Sequence, residues 1–63
     1  MIELFDTEKA AEYVGLKPST LEKRRVQGLE PRFVRLGRLV KYRRVDLDRW
    51  VESGLSTSTS QAA

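Results

Sequence analysis

The 63-residue chain contains no cysteine and no histidine. The absence of cysteine excludes disulfide bonds and thiolate metal sites, and the absence of histidine removes the commonest zinc ligand and the usual general base. No stretch approaches the roughly 18 consecutive apolar residues that a membrane-spanning helix requires. The start of the chain also lacks the basic and apolar regions of a signal peptide. We therefore expect a cytoplasmic binding protein without enzymatic activity, metal or cofactor.

Positive charge is concentrated in the middle of the chain. The net charge is only +3 at pH 7, but residues 17–43 carry nine basic and two acidic side chains, a net charge of +7. Residues 1–16 and 44–63 are mildly acidic, with net charges of −3 and −1. Such a basic block is the electrostatic signature of a nucleic-acid-binding protein. The alternative is an arginine-rich surface that serves only solubility.

Residues 7–14 are predicted to form a first helix. Asp6 is positioned to cap its free backbone N–H groups, and Phe5 and Ala10 have the spacing of a hydrophobic staple. Gly15 is expected to end the helix, because glycine adopts the left-handed conformation at a helix C-terminus without strain.

A second helix is predicted from Pro18, whose fixed φ suits the first helical position, to the residue before Gly28. Lys17 is a poor N-cap for it. Leu21 and Val26 are its only clearly apolar residues, so we expect it to be the least buried helix. Two short helices joined by a turn that contains glycine form the outline of a helix-turn-helix.

Residues 33–36 and 39–42 are rich in β-branched and aromatic side chains and flank Gly37 and Arg38. This pattern predicts a β-hairpin with a two-residue turn, and an irregular loop is the alternative. A third helix is predicted over residues 44–53, ending at Gly54.

The third helix should present Leu47, Trp50 and Val51 on one face, so Trp50 is interpreted as a core residue and not as a platform for a base. Residues 56–63 have no periodicity and are expected to form a disordered tail. The predicted fold class is α+β: a small winged helix-turn-helix domain over residues 1–55, with three helices and a two-stranded wing in the order α-α-β-β-α.

The second helix carries the first set of candidate DNA contacts. Lysine, arginine and glutamine side chains read base edges in the major groove, and a helix start attracts phosphates. Because consecutive residues are rotated by about 100°, at least one of Arg24 and Arg25 should point back toward the core. The alternative is an ordinary solvated helix. The candidates are Ser19, Thr20, Lys23, Arg24, Arg25 and Gln27.

The hairpin carries the second set. We expect Arg35 and Lys41 to share a face and Arg38 to lie at the tip, where a narrow basic wing suits the minor groove. The alternative is that these charges protect a sheet edge from aggregation. The candidates are Arg35, Gly37, Arg38, Lys41, Tyr42 and Arg43, with Tyr42 only a minor candidate for a phosphate contact and more typical of packing.

The ordered set of segments resembles the small winged helix-turn-helix family of excisionases and AlpA-type regulators, distant relatives of the MerR regulators. Residues 7–16 resemble its first helix, 19–21 the start of its recognition helix, 33–38 and 42–44 its wing, and 45–51 its closing helix. The resemblance spans residues 4–53 without a gap. Lys17 and Arg24 depart from it, since the family often has a capping Ser or Thr and a large apolar residue there.

The resemblance implies a protein that binds double-stranded DNA with its second helix in the major groove and its wing in the adjacent minor groove. In the excisionase branch, such proteins bind several neighbouring sites in the bacterial host, bend the DNA and bias a phage integrase toward excision. Because bending the DNA is costly, we predict that several copies bind it cooperatively. Two alternatives are a small transcriptional regulator on the same fold and a protein-interaction adaptor or antitoxin that binds no DNA.

Overall fold

A computed structural model describes residues 2–55 of the chain. The predicted tail, residues 56–63, lies outside the described residues. Three helices and three short strands follow one another in the order β1 (Leu4–Phe5), α1 (Thr7–Val14), α2 (Pro18–Val26), β2 (Val34–Leu36), β3 (Leu39–Arg43) and α3 (Arg44–Ser53). The α+β winged helix-turn-helix prediction is confirmed.

Local sequence signals set the bounds of α1. The carboxylate of Asp6 accepts a 2.8 Å hydrogen bond from the backbone N–H of Lys9, as the N-cap prediction requires. Gly15 ends the helix with φ at +81°, in the left-handed region. Ala10 and Ala11 are buried, so one side of α1 belongs to the core, and Phe5 just before the helix is buried with them.

The second helix is bound to the core by few residues. Pro18 occupies its first position, and Lys17 makes no side-chain capping hydrogen bond. Leu21 is its one buried residue, while Val26 is exposed. Leu21 is therefore the only residue of α2 that is fully buried, and more than half of the helix residues are exposed.

The wing is the outer part of a three-stranded antiparallel sheet with the strand order β1-β3-β2. Leu36 pairs with Leu39 across a two-residue turn, and Gly37 has φ at +63°, which the first position of such a turn requires. The strand β1 adds an element to the predicted α-α-β-β-α order. Leu4 pairs with Arg43 and Phe5 with Tyr42, so β1 covers the inner end of β3.

The strand register corrects one expectation about the wing. Arg35 pairs with Val40, whereas Lys41 pairs with Val34. Paired residues lie on the same face of a sheet and neighbours along a strand lie on opposite faces. Arg35 therefore lies on the face that carries Val40 and the core, and Lys41 lies on the outer face. The prediction that these two basic residues share a face is wrong.

The core lies between the helices and the inner face of the sheet. Half-buried side chains, among them Phe33, Val40 and Trp50, pack around it. Trp50 is thus confirmed as a packing residue, while Val51 of the predicted stripe is exposed. The fully or nearly fully buried apolar residues are Phe5, Ala10, Ala11, Leu21, Tyr42 and Leu47.

No helix among residues 2–55 combines the length and the apolar content needed to cross a membrane. Within the same residues, no group of three or more acidic side chains is arranged to hold a metal ion.

Candidate nucleic-acid interface

The solvent-facing side of α2 carries polar residues at helical spacing. Ser19, Lys23 and Gln27 are exposed and recur every four residues, which places them along one face. Thr20 lies beside this face and is half-buried. Three of the six predicted recognition-helix residues therefore form one accessible row with hydrogen-bonding groups and one positive charge.

Arg24 points away from that row and toward α3. Its guanidinium lies 5.1 Å from the ring centroid of Trp50 and its Nε–H donates a hydrogen bond to the backbone carbonyl of Glu30. The family that the sequence resembles usually has a large apolar residue at this position. In this chain the side chain of Arg24 packs over the tryptophan ring instead. It therefore fastens the segment between α2 and β2 to α3.

Arg25 also points inward. Its guanidinium donates a 3.0 Å hydrogen bond to the hydroxyl of Tyr42 and a 3.4 Å hydrogen bond to the hydroxyl of Thr7. It also lies 5.8 Å from the ring centroid of Phe33. These contacts join α2 to the start of α1 and to β3. At least one of Arg24 and Arg25 was predicted to point back toward the core, and both do so.

The wing presents its basic side chains on different sides. Arg38 is exposed at the turn beside Gly37, and Arg35 is exposed with its guanidinium 6.0 Å from the ring centroid of Phe33. Lys41 is half-buried on the outer face. The hairpin is therefore positively charged at its tip and on both faces.

One predicted wing residue belongs to the interior. Tyr42 is 0% exposed, and its hydroxyl accepts the hydrogen bond from Arg25. In this conformation its side chain has no access to a ligand, so we remove it from the candidate contacts. The alternation of the strand points this residue inward, a signal that outweighs its position at the end of a basic segment.

Arg43 forms a two-pronged ion pair with the buried carboxylate of Asp46, at 2.7 and 2.9 Å. These hydrogen bonds hold the pKa of Asp46 below its usual value although burial of the carboxylate opposes that shift. They also raise the pKa of Arg43. Arg43 therefore fixes the junction between β3 and α3, and it too leaves the set of candidate contacts.

A second charge network lies on the side of α1 and α3. Arg44 pairs with Glu3 at 3.0 Å and with Asp48 at 3.6 Å. The hydroxyl of Tyr13 donates a 2.6 Å hydrogen bond to Asp48, which raises the pKa of Tyr13 because the carboxylate disfavours a phenolate. Glu3 and Asp48 are thus held in a network that joins the start of the chain and α1 to α3.

Apart from Arg43, the basic residues of α2 and the wing have no such carboxylate partners within the described part of the chain. Among residues 2–55, every salt bridge involves Arg43 or Arg44. Lys23, Arg35 and Arg38 therefore present positive charge that no carboxylate of the described residues neutralises. Uncompensated cations on a helix and an adjacent hairpin can bind a polyanion without first breaking an internal ion pair.

A model of the helix-turn-helix domain family matches residues 4–55. The chain belongs to that family. It comprises small DNA-binding domains and includes AlpA-like and excisionase-like proteins. Its members are typically not enzymes. No curated protein matches the sequence.

The exposure of three apolar residues of this helix-turn-helix domain was not predicted from the sequence. Val26, at the end of α2, is 85% exposed although its hydrophobicity suggested a contribution to the core. Leu36 and Leu39, which flank the wing turn, are 47% and 60% exposed. The exposure of the two leucines could have been predicted from the two-residue turn, because that turn pairs them at the end of the hairpin, away from the helices.

Proposed function

We propose that this helix-turn-helix domain is an excisionase, which binds specific double-stranded DNA, bends it and biases a phage integrase toward excision. The observation that carries the proposal is the distribution of charge. Apart from Arg43, the cations of α2 and the wing form no salt bridge within residues 2–55, while most acidic side chains lie on α1, on α3 or beside them. This uneven distribution of charge favours an approach in which α2 and the wing face the phosphate backbone.

The contacts fall into two groups. In the usual geometry of this motif the second helix lies in the major groove. Lys23 and Gln27 are suited to base edges there, and Ser19 and Thr20 to a phosphate at the start of the helix. The wing contributes Arg35, Gly37, Arg38 and Lys41 in the adjacent minor groove. Arg24 and Arg25 hold these two elements in position and do not bind the DNA directly.

Bending favours the cooperative binding of several copies. A site of 20–30 bp costs on the order of 1–6 kcal/mol to bend by 40–90°. One small module buries roughly 600–1,000 Å² on DNA, which leaves little surplus for that cost. Adjacent copies that contact one another on the DNA would share it. We therefore propose self-association on DNA, in addition to the partnership with an integrase.

An excision assay decides between this proposal and a transcriptional regulator on the same fold. The purified protein is mixed with attachment-site DNA from an integrative element that carries its gene, with and without the cognate integrase. An excisionase makes excision depend on its presence and adds protein-dependent bands in a mobility-shift gel. Specific binding without any effect on excision supports the regulator. No measurable affinity for any duplex at low salt contradicts both and favours a protein adaptor.

A further inference from the structure

The tip of the wing carries two leucines that the fold does not cover. Leu36 and Leu39 are directly paired across the hairpin, on either side of Gly37 and Arg38. They are 47% and 60% exposed. Cross-strand partners have Cβ atoms about 4.5–5.5 Å apart, so their side chains form one continuous apolar surface.

This surface faces away from the core. Leu36 shares the outer face of the sheet with Val34 and Lys41, whereas Val40 and Tyr42 point to the inner face. Leucines at this position add little to the core and leave apolar area in water, and a ligand that buried this area would gain binding free energy from it.

The surroundings of the leucines indicate what that ligand is. Residues 31–45 contain six basic residues and no acidic residue. Within them, Arg38 lies between the two leucines in the turn, and Lys41 lies on the same face as Leu39. An apolar strip bordered by cations complements a surface with anionic rims and apolar walls. The minor groove of DNA has this character, with phosphates along its edges and deoxyribose groups along its walls.

We propose that Leu36 and Leu39 form an apolar wedge that enters the minor groove, packs against its deoxyribose walls and forces the DNA to bend. This inference rests on the proposed function and adds to it the residues that produce the bend. The minor groove of B-form DNA is about 6 Å wide. Two strands are already about 4.8 Å apart between backbones, so two paired leucines enter only when the groove widens. Apolar side chains that insert from the minor groove partially unstack the base steps and bend the duplex toward the major groove.

The wedge is tested with a Leu36→Ala/Leu39→Ala double variant, using the mobility of circularly permuted fragments or fluorescence transfer between duplex ends to measure the bend. The sequence of the duplex is first selected with the wild-type protein. We expect the bend to decrease strongly and the affinity to fall about tenfold, since much of two leucine side chains is no longer buried on binding. The salt dependence of binding should stay unchanged because every charge is retained.

Two control variants distinguish the effect of the paired leucines from the effects of other exposed residues. Leu55→Ala removes another exposed leucine, 73% exposed and outside the wing, and should leave the bend unchanged. Arg38→Gln removes the charge between the leucines and should reduce the salt dependence by about one unit, an effect that the double leucine variant should not show. A Leu36→Thr/Leu39→Thr variant retains strand-forming side chains, and thermal unfolding confirms that each variant is folded.

Each outcome bears on a single claim. A folded double variant that bends DNA as strongly as the wild type overturns the wedge, and so does a loss of bending accompanied by a lower salt dependence, because the leucines would then act by placing the cations. Wild-type protein that binds a duplex without bending it also overturns the wedge but leaves DNA binding intact. Wild-type protein that binds no duplex contradicts the proposed function itself.

Discussion

The guanidinium of Arg25 donates a 3.0 Å hydrogen bond to the hydroxyl of Tyr42. Arg25 belongs to the helix proposed to enter the major groove, and Tyr42 belongs to the strand that supports the wing. This bond is therefore a direct link between the two proposed contact elements. It fixes their relative orientation in the free protein, so less ordering remains to be done on binding.

Removing the hydroxyl should loosen that link without opening a cavity. We expect Tyr42→Phe to lower the free energy of unfolding by about 0.5–1.5 kcal/mol, the net value of one hydrogen bond. Chemical denaturation of Tyr42→Phe, Arg25→Met and the combined variant gives the coupling between the two side chains. Additive effects would show that the hydrogen bond contributes nothing. Arg49→Met, which removes an exposed arginine of α3, serves as the control.

Arg24 and Lys23 are adjacent on α2 but should respond oppositely to the same substitution. Arg24 stacks on Trp50 and donates to the carbonyl of Glu30, so Arg24→Met should lower stability by about 1 kcal/mol, or about 4–8 °C in Tm. Lys23 is exposed, and Lys23→Met should weaken duplex binding with little change in Tm. Thermal unfolding and DNA titration on both variants test this pair. A larger loss of DNA affinity from Arg24→Met than from Lys23→Met would place Arg24 on the DNA.

Salt dependence distinguishes the free cations from the paired ones. Each phosphate contact contributes about 0.9 to the slope of log K against log salt. We expect Arg38→Gln and Arg35→Gln each to reduce that slope by about one. Arg44→Gln should leave it unchanged, because Arg44 is occupied by Glu3 and Asp48. Equal slopes for all three variants would contradict the proposed wing contact.

The ion pair between Asp46 and Arg43 predicts how stability depends on pH. Arg43 lowers the pKa of Asp46 in the folded state, so the folded protein binds a proton there less readily than the unfolded chain does. The stabilisation is complete above the ordinary aspartate value of 3.8 and is lost as the pH falls through the lowered pKa. Asp46→Asn should cost about 1–3 kcal/mol at neutral pH.

The measurement is the difference in unfolding free energy between wild type and Asp46→Asn, followed from pH 7 to about pH 2. This difference should be constant at neutral pH and shrink below about pH 4, since other carboxylates titrate equally in both proteins. Glu52→Gln changes an exposed carboxylate on the same helix and should show almost no difference at any pH. A difference that grows on acidification would reverse the assigned sign.

The parts of the fold that were predicted from the sequence depend on residues close together in the chain. Asp6 and Gly15 mark the ends of α1 through local capping, and Gly37 marks the hairpin turn. Strand β1 was missed because two residues are too short for an alternating pattern. Its partner Arg43 is also far along the chain. Such a pairing depends on tertiary packing.

The site was predicted less completely than the fold, for two different reasons. The opposite orientation of Arg35 and Lys41 follows from a two-residue turn, because that turn fixes which residues pair. This information was present in the sequence. The inward orientation of Arg25 could not be predicted from the sequence, because its partners Thr7 and Tyr42 come from two other elements. Composition identifies basic residues, but only packing decides which of them remain accessible.

Strand β3 ends at Arg43 and α3 begins at Arg44, so no linker separates the wing from the last helix. A hairpin on a loose connection could swing to meet grooves at various separations. Here a change in the orientation of the hairpin would have to move α3 with it or break the ion pair between Arg43 and Asp46. The orientation of the wing relative to α3 is therefore set in the free protein, and in the proposed binding mode the duplex adapts to that orientation.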